Sequence, residues 1–469
     1  MTSANHHKYN KELSIDMNNY TRRRLLKLGA RTIAGSGLVL GGTPLQALAQ
    51  AANGTTSTHA DYRALVCIYL DGGCDGFSLM SPTGSYEHDI FANARGNLAI
   101  PRNQLLSLNG GSSPLGLHPS ASALQPLYDG GRIAIVANVG TLIEPTTQDQ
   151  YLNNSVALPA QLFSHSDQTI QWQQLQGRDR SDFGWGVKAI DQLSASDERN
   201  YLSSISLSGA NYWQSSVSRR PFSMTENGVI NYHGMDKQND WETARADAFE
   251  QVMNSSQRNV FSRAYADLQK RALSATTELG QVLDNNSELF SDQPEENPLA
   301  AKLAMVAQMI AANESLNVSR QIFYVSMSGY DVHDNQNNEL PELFAQLSEA
   351  LSYFQSKIDF LGKAENVTAF TASDFGRTLN SNGDGTDHGW GNHLMVLGGA
   401  VRGGQIFGTL PSLDVDGPDS VNRGRIIPTL SASQYAATLL QWLGLSSQQI
   451  DLVLPGLNNF SQRDLGFLA

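Results

Sequence analysis

Carboxylates and imidazoles follow several apolar runs of this 469-residue chain, at the points where the runs end. Residues of these types in this pattern could hold a divalent metal ion, because crowded carboxylates repel one another unless a cation lies between them. A mixture of oxygen and imidazole ligands suits Zn²⁺, Mn²⁺, Mg²⁺ or Ca²⁺. The pattern therefore predicts a site for one or two divalent ions. The candidate ligands are Asp71, Asp75, Asp331, His333, Asp374, Asp387 and His388.

The local sequence offers other roles for some of these carboxylates. An Asp that precedes Gly in a loop after a strand often forms a turn or caps a helix, and that interpretation stays open for Asp71 and Asp75. Asp331 and His333 are two residues apart at a strand end, so their side chains project to the same side. Asp387 could instead orient a neighbouring imidazole as an outer hydrogen-bond partner.

Ser164 is the candidate nucleophile, and it lies with His165 at the predicted start of a helix. Exposed N–H groups and the helix dipole favour an anion at such a position, and a metal-activated serine could attack phosphorus or sulfur. The alternative is that Ser164 only caps the helix, with Asp167 three residues further on.

Arg377 is the candidate substrate-binding cation. It follows Asp374 by three residues, and its guanidinium could bind two oxygens of an anionic substrate. The alternative is an ion pair between Arg377 and the acidic residues of the same edge.

Near-continuous apolar runs predict the strands that must position these residues, since strands covered on both faces lack alternation. The runs are 63–70, 133–139, 322–327, 367–371 and 394–397. Helical patterns occur at 119–129, 298–315, 339–362 and 433–443. Strands that alternate with helices indicate an α/β fold with a mostly parallel central sheet flanked by helices. In such sheets, ligands bind at the carboxyl ends of the strands.

The N-terminal residues have the pattern of an export signal. Three consecutive arginines precede a weakly apolar, glycine-rich stretch, and Ala47-Leu48-Ala49 resembles a cleavage site. This predicts a twin-arginine signal peptide over 1–49, a linker over 50–60 and a main domain over 61–469. Within that domain, 195–297 is richer in polar residues and helical patterns, and we interpret it as a helical insertion or cap. We expect a periplasmic or secreted protein.

Composition and charge exclude several classes of partner. The chain has 40% hydrophobic and 16% charged residues, which excludes a wholly disordered protein. Its formal net charge is −13, and without the seven basic and two acidic residues among the first 49 it is near −18. A body this acidic is a poor match for nucleic acid, which needs clustered Lys and Arg. No segment has the unbroken apolar length of a stable membrane span.

Several spaced motifs resemble a family of exported bacterial proteins, the domain of unknown function 1501. The motifs are "LDGGCDGFSLMSP" (70–82), "LHPSASALQPLYDGGRIAIVANVG" (117–140), "SHSDQTIQWQ" (164–173), "SGYDVHDNQ" (328–336), "SDFGRT" (373–378) and "GTDHGWGNHLMVLGGAVRGG" (385–404). The resemblance spans about 61–465. It implies the alkaline phosphatase and sulfatase superfamily, and with it an alkaline phosphatase-like fold and a metal-dependent hydrolase ancestry.

The resemblance also implies roles for individual residues. It places the superfamily's strand-end carboxylates and histidines, together with the family's own GGxDG carboxylate, at Asp71, Asp75, Asp331, His333, Asp374 and His388. It places the nucleophile at Ser164. Phe375 stands where alkaline phosphatases carry a ligating histidine, and the Asp331 to His333 spacing is shorter than usual. A second metal site would therefore be lost, or would be altered with Asp387 or His165 as a ligand.

Two functions follow as expectations. The first is an exported metal-dependent hydrolase of phosphate or sulfate esters, which acts on a small anionic ester or a polysaccharide. Its catalytic candidates are Ser164, His165 and Arg377. The second is a non-catalytic exported protein on a degenerate hydrolase fold, which acts in envelope assembly or polymer binding through an envelope protein partner.

Overall fold

The central strand of the fold runs from Arg63 to Asp71, at the start of the part of the chain that the structure describes. The structure is a computed structural model, and it describes residues 62–469 except 178–180, 182, 194–199, 218, 230–233, 236, 256–258 and 285–286. The predicted signal peptide (1–49) and linker (50–60) lie outside the described residues.

Strands and helices alternate along the chain, as the apolar runs predict. The strands are β1 (Arg63–Asp71), β2 (Met80–Pro82), β3 (Leu106–Ser107), β4 (Leu115–Leu117), β5 (Ile133–Gly140), β6 (Ser204–Ser206), β7 (Phe222–Thr225), β8 (Gly228–Val229), β9 (Arg320–Ser328), β10 (Val367–Ala372), β11 (Arg377–Ser381), β12 (Thr386–His388), β13 (Asn392–Gly398), β14 (Ile406–Phe407), β15 (Ser420–Val421), β16 (Arg425–Ile426) and β17 (Leu430–Ser431). The α-helices are α1 (Gly76–Leu79), α2 (Ser85–Arg95), α3 (Leu124–Asp129), α4 (Gln148–Leu152), α5 (His165–Gln174), α6 (Trp185–Leu193), α7 (Asp240–Asn254), α8 (Val260–Asp284), α9 (Pro298–Ala311), α10 (Gln336–Phe360), α11 (Ala432–Leu443) and α12 (Ser447–Val453). The five predicted strands are all present as β1, β5, β9, β10 and β13.

The main sheet has the strand order β14-β5-β13-β10-β1-β9-β6-β7-β8, and β17 also pairs with β5. Strands β10, β1, β9, β6 and β7 run parallel to one another. This confirms the predicted α/β class with a mostly parallel central sheet. Strand β13 differs, because it is antiparallel to both of its neighbours, β10 and β5.

The direction of β13 decides where the loop before it lies. If β13 were parallel, its start would lie at the edge opposite to the carboxyl ends of its neighbours. Because it is antiparallel, Asn392 at its start lies at the edge where β10 ends at Ala372. The segment that carries His388 therefore reaches the same edge as the strand-end carboxylates.

Both faces of the sheet are covered, as the unbroken apolar runs require. Alternate residues of β1, from Ala64 to Leu70, pack in one core with α9 and α10. Leu65, Cys67 and Tyr69 pack in a second core on the other face, with α11. Cys67 and Cys74 are free, buried thiols. Each fully buried Leu, Val or Ile contributes roughly 1.5–3 kcal/mol, so β1 is a rigid base for the loop that follows it.

The segment 195–297 contributes strands as well as helices. Strand β6 pairs with β9 and so extends the main sheet, and β7 and β8 continue from it. Helix α8 contacts both α7 and β8. The three short strands have no distinct apolar pattern and were not predicted, and the interpretation of 195–297 as an insertion or cap stays a prediction. Within the described residues, no helix combines the length and apolarity that crossing a membrane requires.

His393, in β13, makes the fold sensitive to acid. Its ring is 4% exposed, Nδ1 accepts a hydrogen bond from the Asn138 N–H at 3.2 Å, and burial lowers the pKa of His393 to about 4. An unfolded histidine titrates near pH 6.5. Between these values the unfolded chain binds more protons than the folded protein. The stability from neutral His393 is therefore complete above pH 6.5 and is lost as the pH falls towards 4.

From this residue we expect a loss of about 2 kcal/mol in unfolding free energy between pH 7 and pH 5. The measurement is urea unfolding with a chelator present, so that metal binding does not contribute. The His393→Gln variant keeps a neutral acceptor that cannot be protonated, and it should lose about 2 kcal/mol less over the same range. Equal losses in the two proteins would contradict this assignment.

Candidate metal centre

Three imidazoles and one carboxylate converge at the edge where the parallel strands end. Nε2 of His388 lies 3.0 Å from Nε2 of His165 and 2.9 Å from Nε2 of His333. Oδ1 of Asp331 lies 3.2 Å, 2.9 Å and 3.4 Å from Nε2 of His165, His333 and His388 respectively. One atom of each of His165, Asp331 and His388 lies within 4.8 Å of the others, an arrangement that could hold a metal ion. We call these four residues the candidate metal centre.

Asp374 orients His165, the first residue of α5. Its Oδ2 lies 2.6 Å from Nδ1 of His165, and its Oδ1 accepts hydrogen bonds from the N–H groups of Gly72 and Gly73 at 3.1 Å and 3.3 Å. The hydrogen bond to Asp374 raises the pKa of His165. With the proton held on Nδ1, the Nε2 lone pair faces the other members of the centre. A carboxylate behind an imidazole is the usual outer partner of a metal-bound histidine.

His388 reaches the centre in the tautomer that metal binding requires. Its Nδ1 lies 2.8 Å from the carbonyl oxygen of Phe163. A carbonyl only accepts, so Nδ1 carries the hydrogen and Nε2 presents a lone pair. Burial lowers the pKa of His388, which favours the neutral ring.

His333 is the most exposed of the three imidazoles, with 42% of its side chain accessible. Its Nδ1 lies 3.5 Å from Oδ1 of Asp387, whose Oδ2 is paired with Nη1 of Arg423 at 2.7 Å. Asp387 therefore lies behind His333, as Asp374 lies behind His165. The sequence offered Asp387 either as a ligand or as an outer partner to an imidazole, and the structure places it in the second position, behind His333 and not behind His388.

Arg377 holds Asp331 in place and has no donor left for a substrate. It is 1% exposed, and its Nη1 donates to Oδ1 of Asp331 at 3.0 Å and to the Gly72 carbonyl at 3.3 Å. Nη2 donates to the carbonyls of Val332 and Thr386, and Nε donates to the Thr386 hydroxyl at 3.3 Å. These bonds occupy all five N–H groups of the guanidinium. The structure thus supports the alternative interpretation, an ion pair with the acidic edge, over the predicted substrate-binding role.

The donor set fits a divalent metal ion. Tetrahedral Zn²⁺ with Zn–N distances of 2.0–2.1 Å places its ligand atoms roughly 3.3 Å apart, and the separations within the centre are 2.9–3.4 Å. Two lone-pair nitrogens at 3.0 Å need a proton or a cation between them. Because Asp331 and His333 are about half exposed, a further ligand can approach from solvent, as catalytic metal sites require.

Phe375 packs against the candidate metal centre, a contact that residue chemistry alone did not indicate. Its ring lies 4.7 Å from the ring of His165 and 4.8 Å from that of His388, centroid to centroid. It is 2% exposed. Gly73 has φ of +80° and lies directly against it, so that a Cβ at Gly73 would come within 2.6 Å of the Phe375 ring. Phe375 thus packs against two of the imidazoles and fixes their spacing. It occupies the position at which the resemblance implies a ligating histidine.

Asp75 lies outside the centre, and its carboxylate is fully occupied. It is 1% exposed, forms two hydrogen bonds with the guanidinium of Arg95, and accepts from the N–H and hydroxyl of Ser78 and from Nε2 of Gln336. Burial alone would raise the pKa of Asp75, but Arg95 and Ser78 outweigh it and hold that pKa below its usual range. Asp75 also caps α1. This is the cap interpretation of the sequence and leaves no lone pair for a metal.

Asp71 and Ser164 lie next to the candidate metal centre. Among the described residues, neither side chain makes a hydrogen bond to the four ligand atoms. Asp71 accepts a hydrogen bond from Ser328 Oγ at 3.3 Å, and burial together with the Asp374 charge raises its pKa. Ser164 precedes α5, and its Oγ donates to Oδ2 of Asp167 at 2.7 Å. Ser164 thus makes a side-chain contact three residues ahead, but to a carboxylate and not to a helix N–H.

A cavity of about 780 Å³ opens beside the centre at Asp71. Most of its lining carries hydroxyl or amide groups. These residues are Tyr69, Thr169, Gln173, Gln174, Ser181, Ser208, Asn211, Tyr212, Ser215, Ser216, Tyr324 and Ser326. Asp71 and Arg220 supply its charges. The cavity is therefore suited to a polar ligand with many hydroxyl groups more than to an aliphatic one.

The contact between Asp374 and His165 gives a first test of the centre. In Asp374→Asn, the amide oxygen can still accept from Gly72 and Gly73, but the amide N–H₂ group would face His165 Nδ1. The proton would then move to Nε2, the nitrogen that must bind metal. We expect metal affinity, measured by competition with a chromophoric chelator, to fall roughly 10–100-fold. Asp384→Asn, in a loop outside the centre, is the matched control and should retain full affinity.

Comparison with known proteins gives one family and several distant structures. A family model described as "Protein of unknown function (DUF1501)" matches residues 62–450. A search of curated proteins finds no match. Among solved structures, the PsFucS1 sulfatase from Pseudoalteromonas sp. is similar at 10% identity and a TM-score of 0.36, covering 91% of this chain and 76% of that one.

Two further solved structures are similar at the same level. Ps i-CgsB is 10% identical, with a TM-score of 0.36 over 85% of this chain and 77% of its own. A mutant of the alkaline phosphatase PafA is 11% identical, with a TM-score of 0.27 over 68% of this chain and 63% of its own.

Proposed function

The chain belongs to the DUF1501 family of proteins of unknown function, and from the convergence of three histidines with Asp331 we propose that it is a metal-dependent hydrolase of phosphate or sulfate esters. The observation that carries the proposal is the arrangement of three Nε2 atoms around Asp331 Oδ1 at 2.9–3.4 Å. In two of the three rings an acceptor stands within 2.8 Å of Nδ1, and in the third Asp387 stands 3.5 Å from it. Such preorganisation favours a ligand role over a surface role.

His165, His333, His388 and Asp331 would hold the ion. When bound, a divalent ion polarises an ester oxygen and offsets the charge that develops on the reacting group. The residues of the chain do the rest: Asp374 and the Phe163 carbonyl hold the imidazoles in one tautomer, and Arg377 fixes Asp331. Because these partners are buried or half-buried, little reorganisation accompanies the reaction.

We retain Ser164 as the nucleophile of this proposal. Its Oγ would form the bond to phosphorus or sulfur as the ester oxygen leaves, and its proton would pass to Asp167, which already accepts the Ser164 hydrogen bond at 2.7 Å. Water would then cleave the new ester bond and regenerate the hydroxyl. The hydroxyl- and amide-lined cavity beside Asp71 supports a polar remainder of the substrate, such as a sugar.

The experiment is ester hydrolysis by purified protein after chelation and reloading with Zn²⁺, Mn²⁺, Mg²⁺ or Ca²⁺ in turn. 4-Nitrophenyl phosphate and 4-nitrophenyl sulfate are the substrates. The proposal requires turnover of at least one ester that depends on metal and on Ser164. The control for Ser164→Ala is Ser356→Ala, because the Ser356 hydroxyl donates to the Tyr353 carbonyl within α10. Absence of turnover with every ester and ion, in folded protein that binds metal, would refute it.

A non-catalytic role is the second candidate, and one observation favours it. Helices α7 and α8 expose Trp241, Phe261 and Tyr265 to 66%, 81% and 59%, a set of apolar side chains suited to an envelope protein partner. Under this alternative, the Trp241→Ser variant would lose a partner captured by cross-linking in cells, and metal removal would have no effect. We propose export by the twin-arginine route under both candidate functions.

A further inference from the structure

Arg425 is held rigidly beside the candidate metal centre by two contacts. Its guanidinium carbon lies 3.8 Å from the centre of the Phe163 ring, and its Nε donates to the carbonyl of His388 at 2.9 Å. Both partners are tied to the candidate metal centre, because His388 is one of its ligands and the Phe163 carbonyl accepts a hydrogen bond from His388 Nδ1. The guanidinium is therefore attached to the two backbone segments that carry His165 and His388.

The two terminal nitrogens of Arg425, Nη1 and Nη2, make no hydrogen bond within the described part of the chain. The side chain of Arg425 is only partly buried. Arg377, by contrast, uses every N–H on the protein itself. A fixed guanidinium with a free pair of N–H donors is the geometry with which arginine binds two oxygens of a phosphate or sulfate group.

A second guanidinium lies on the same hairpin. Arg423 stands in the turn between β15 and β16, with φ of +69°, between Asn422 and Gly424, which also have positive φ. A left-handed conformation is unfavourable for arginine, so the turn holds Arg423 at a cost. The conformation places its Nη1 against Asp387, the partner of His333. Two arginines therefore flank the centre in a chain of net charge −13.

We propose that Arg425, supported by Arg423, forms an oxyanion subsite beside the metal centre that binds the non-bridging oxygens of a phosphate or sulfate monoester. The turnover of such an ester rests on the proposed function, whereas binding of the anion does not. Arg425 thus takes the role that the sequence suggested for Arg377. The fork of Nη1 and Nη2 is able to bind two oxygens of such an anion at once.

The test is calorimetric titration of metal-loaded protein with inorganic phosphate and, separately, with inorganic sulfate. In Arg425→Gln, affinity for at least one anion should fall by roughly 10-fold or more. Arg425→Lys keeps the charge and not the fork, and it should recover only part of that loss. The control is Arg132→Gln, which removes the same charge just before the start of β5. Arg132 pairs with Asp359 at 3.2 Å, and this variant should bind both anions normally.

Metal content and thermal melting accompany each titration, so that loss of the subsite is distinguished from loss of the fold. If Arg425→Gln does not fold, the Lys variant decides, since unchanged anion affinity in that folded protein would overturn the inference. Wild-type affinity for both anions in folded Arg425→Gln would also overturn it. Anion binding that depends on Arg425 without any ester turnover would support the subsite and count against the hydrolase. Ester turnover with a KM that Arg425→Gln leaves unchanged would support the hydrolase and count against the subsite.

Discussion

Replacing His388 by alanine should abolish stoichiometric metal binding and, with it, any metal-dependent ester turnover. His388 Nε2 lies within 3.4 Å of the ligand atoms of all three other members of the centre, His165, His333 and Asp331. Losing an outer partner of a metal ligand costs roughly 10–100-fold in affinity. Losing a ligand that contacts all the others should cost more than that range. The measurement is metal content by mass spectrometry after dialysis against buffered zinc.

The matched control for His388→Ala is His118→Ala, which removes a buried histidine that lies outside the centre. His118 Nδ1 accepts from the Ser120 N–H at 3.2 Å, and its ring packs on Phe344. This variant should lose stability and retain its metal. If His388→Ala retained a full equivalent of metal at unchanged affinity, the centre described here would not be the binding site.

The fold class could be predicted from the sequence because burial on both faces leaves a clear pattern. Strands β1, β5, β9, β10 and β13 each appear as an uninterrupted apolar run. Strand direction leaves no such pattern. A parallel β13 would have left His388 at the opposite edge of the sheet, and it is the antiparallel direction of β13 that brings His388 to the edge of the carboxylates.

The candidate site could be predicted in part, and its limits have a physical cause. Residue type made Asp331, His333 and His388 candidates, because carboxylates and imidazoles are the side chains that bind divalent ions. Residue type could not separate a ligand from a capping carboxylate, as Asp75 shows, since that depends on whether Arg95 lies within reach. Nor could it show that the donors of Arg377 are occupied, because their acceptors come from residues as distant in sequence as Gly72.

Backbone groups and stacked rings are the features that sequence reasoning could not supply. The tautomer of His388 is set by a carbonyl of Phe163, whose side chain then stacks on Arg425. Any residue can offer a carbonyl, so the sequence carries no signal for it. The turn Asn422-Arg423-Gly424 is the one available signal for Arg423, since Asn and Gly favour positive φ and an arginine between them is unusual.

Replacing Asp75 by alanine should destabilise the protein by about 3–5 kcal/mol, because it leaves the Arg95 guanidinium buried without its partner. Arg95 is fully buried and Asp75 is 1% exposed. The expected drop in unfolding free energy, measured by urea titration, is large relative to the roughly 5–15 kcal/mol that stabilises most domains. Replacing a metal ligand would have a different effect, because it would lower the affinity of the protein for metal.

The double variant Asp75→Ala with Arg95→Ala separates the ion pair from the residues themselves. Once both charges are removed, no unpaired charge remains, and the double variant should be less destabilised than the sum of the single variants. In the folded fraction of Asp75→Ala, metal affinity should equal that of the wild type, because the four ligand atoms make no hydrogen bond to Asp75 among the described residues. A fall in metal affinity comparable with that of His388→Ala would return Asp75 to the ligand set. The same carboxylate would then have to serve Arg95 and a cation at once, which five donors on two oxygens do not permit.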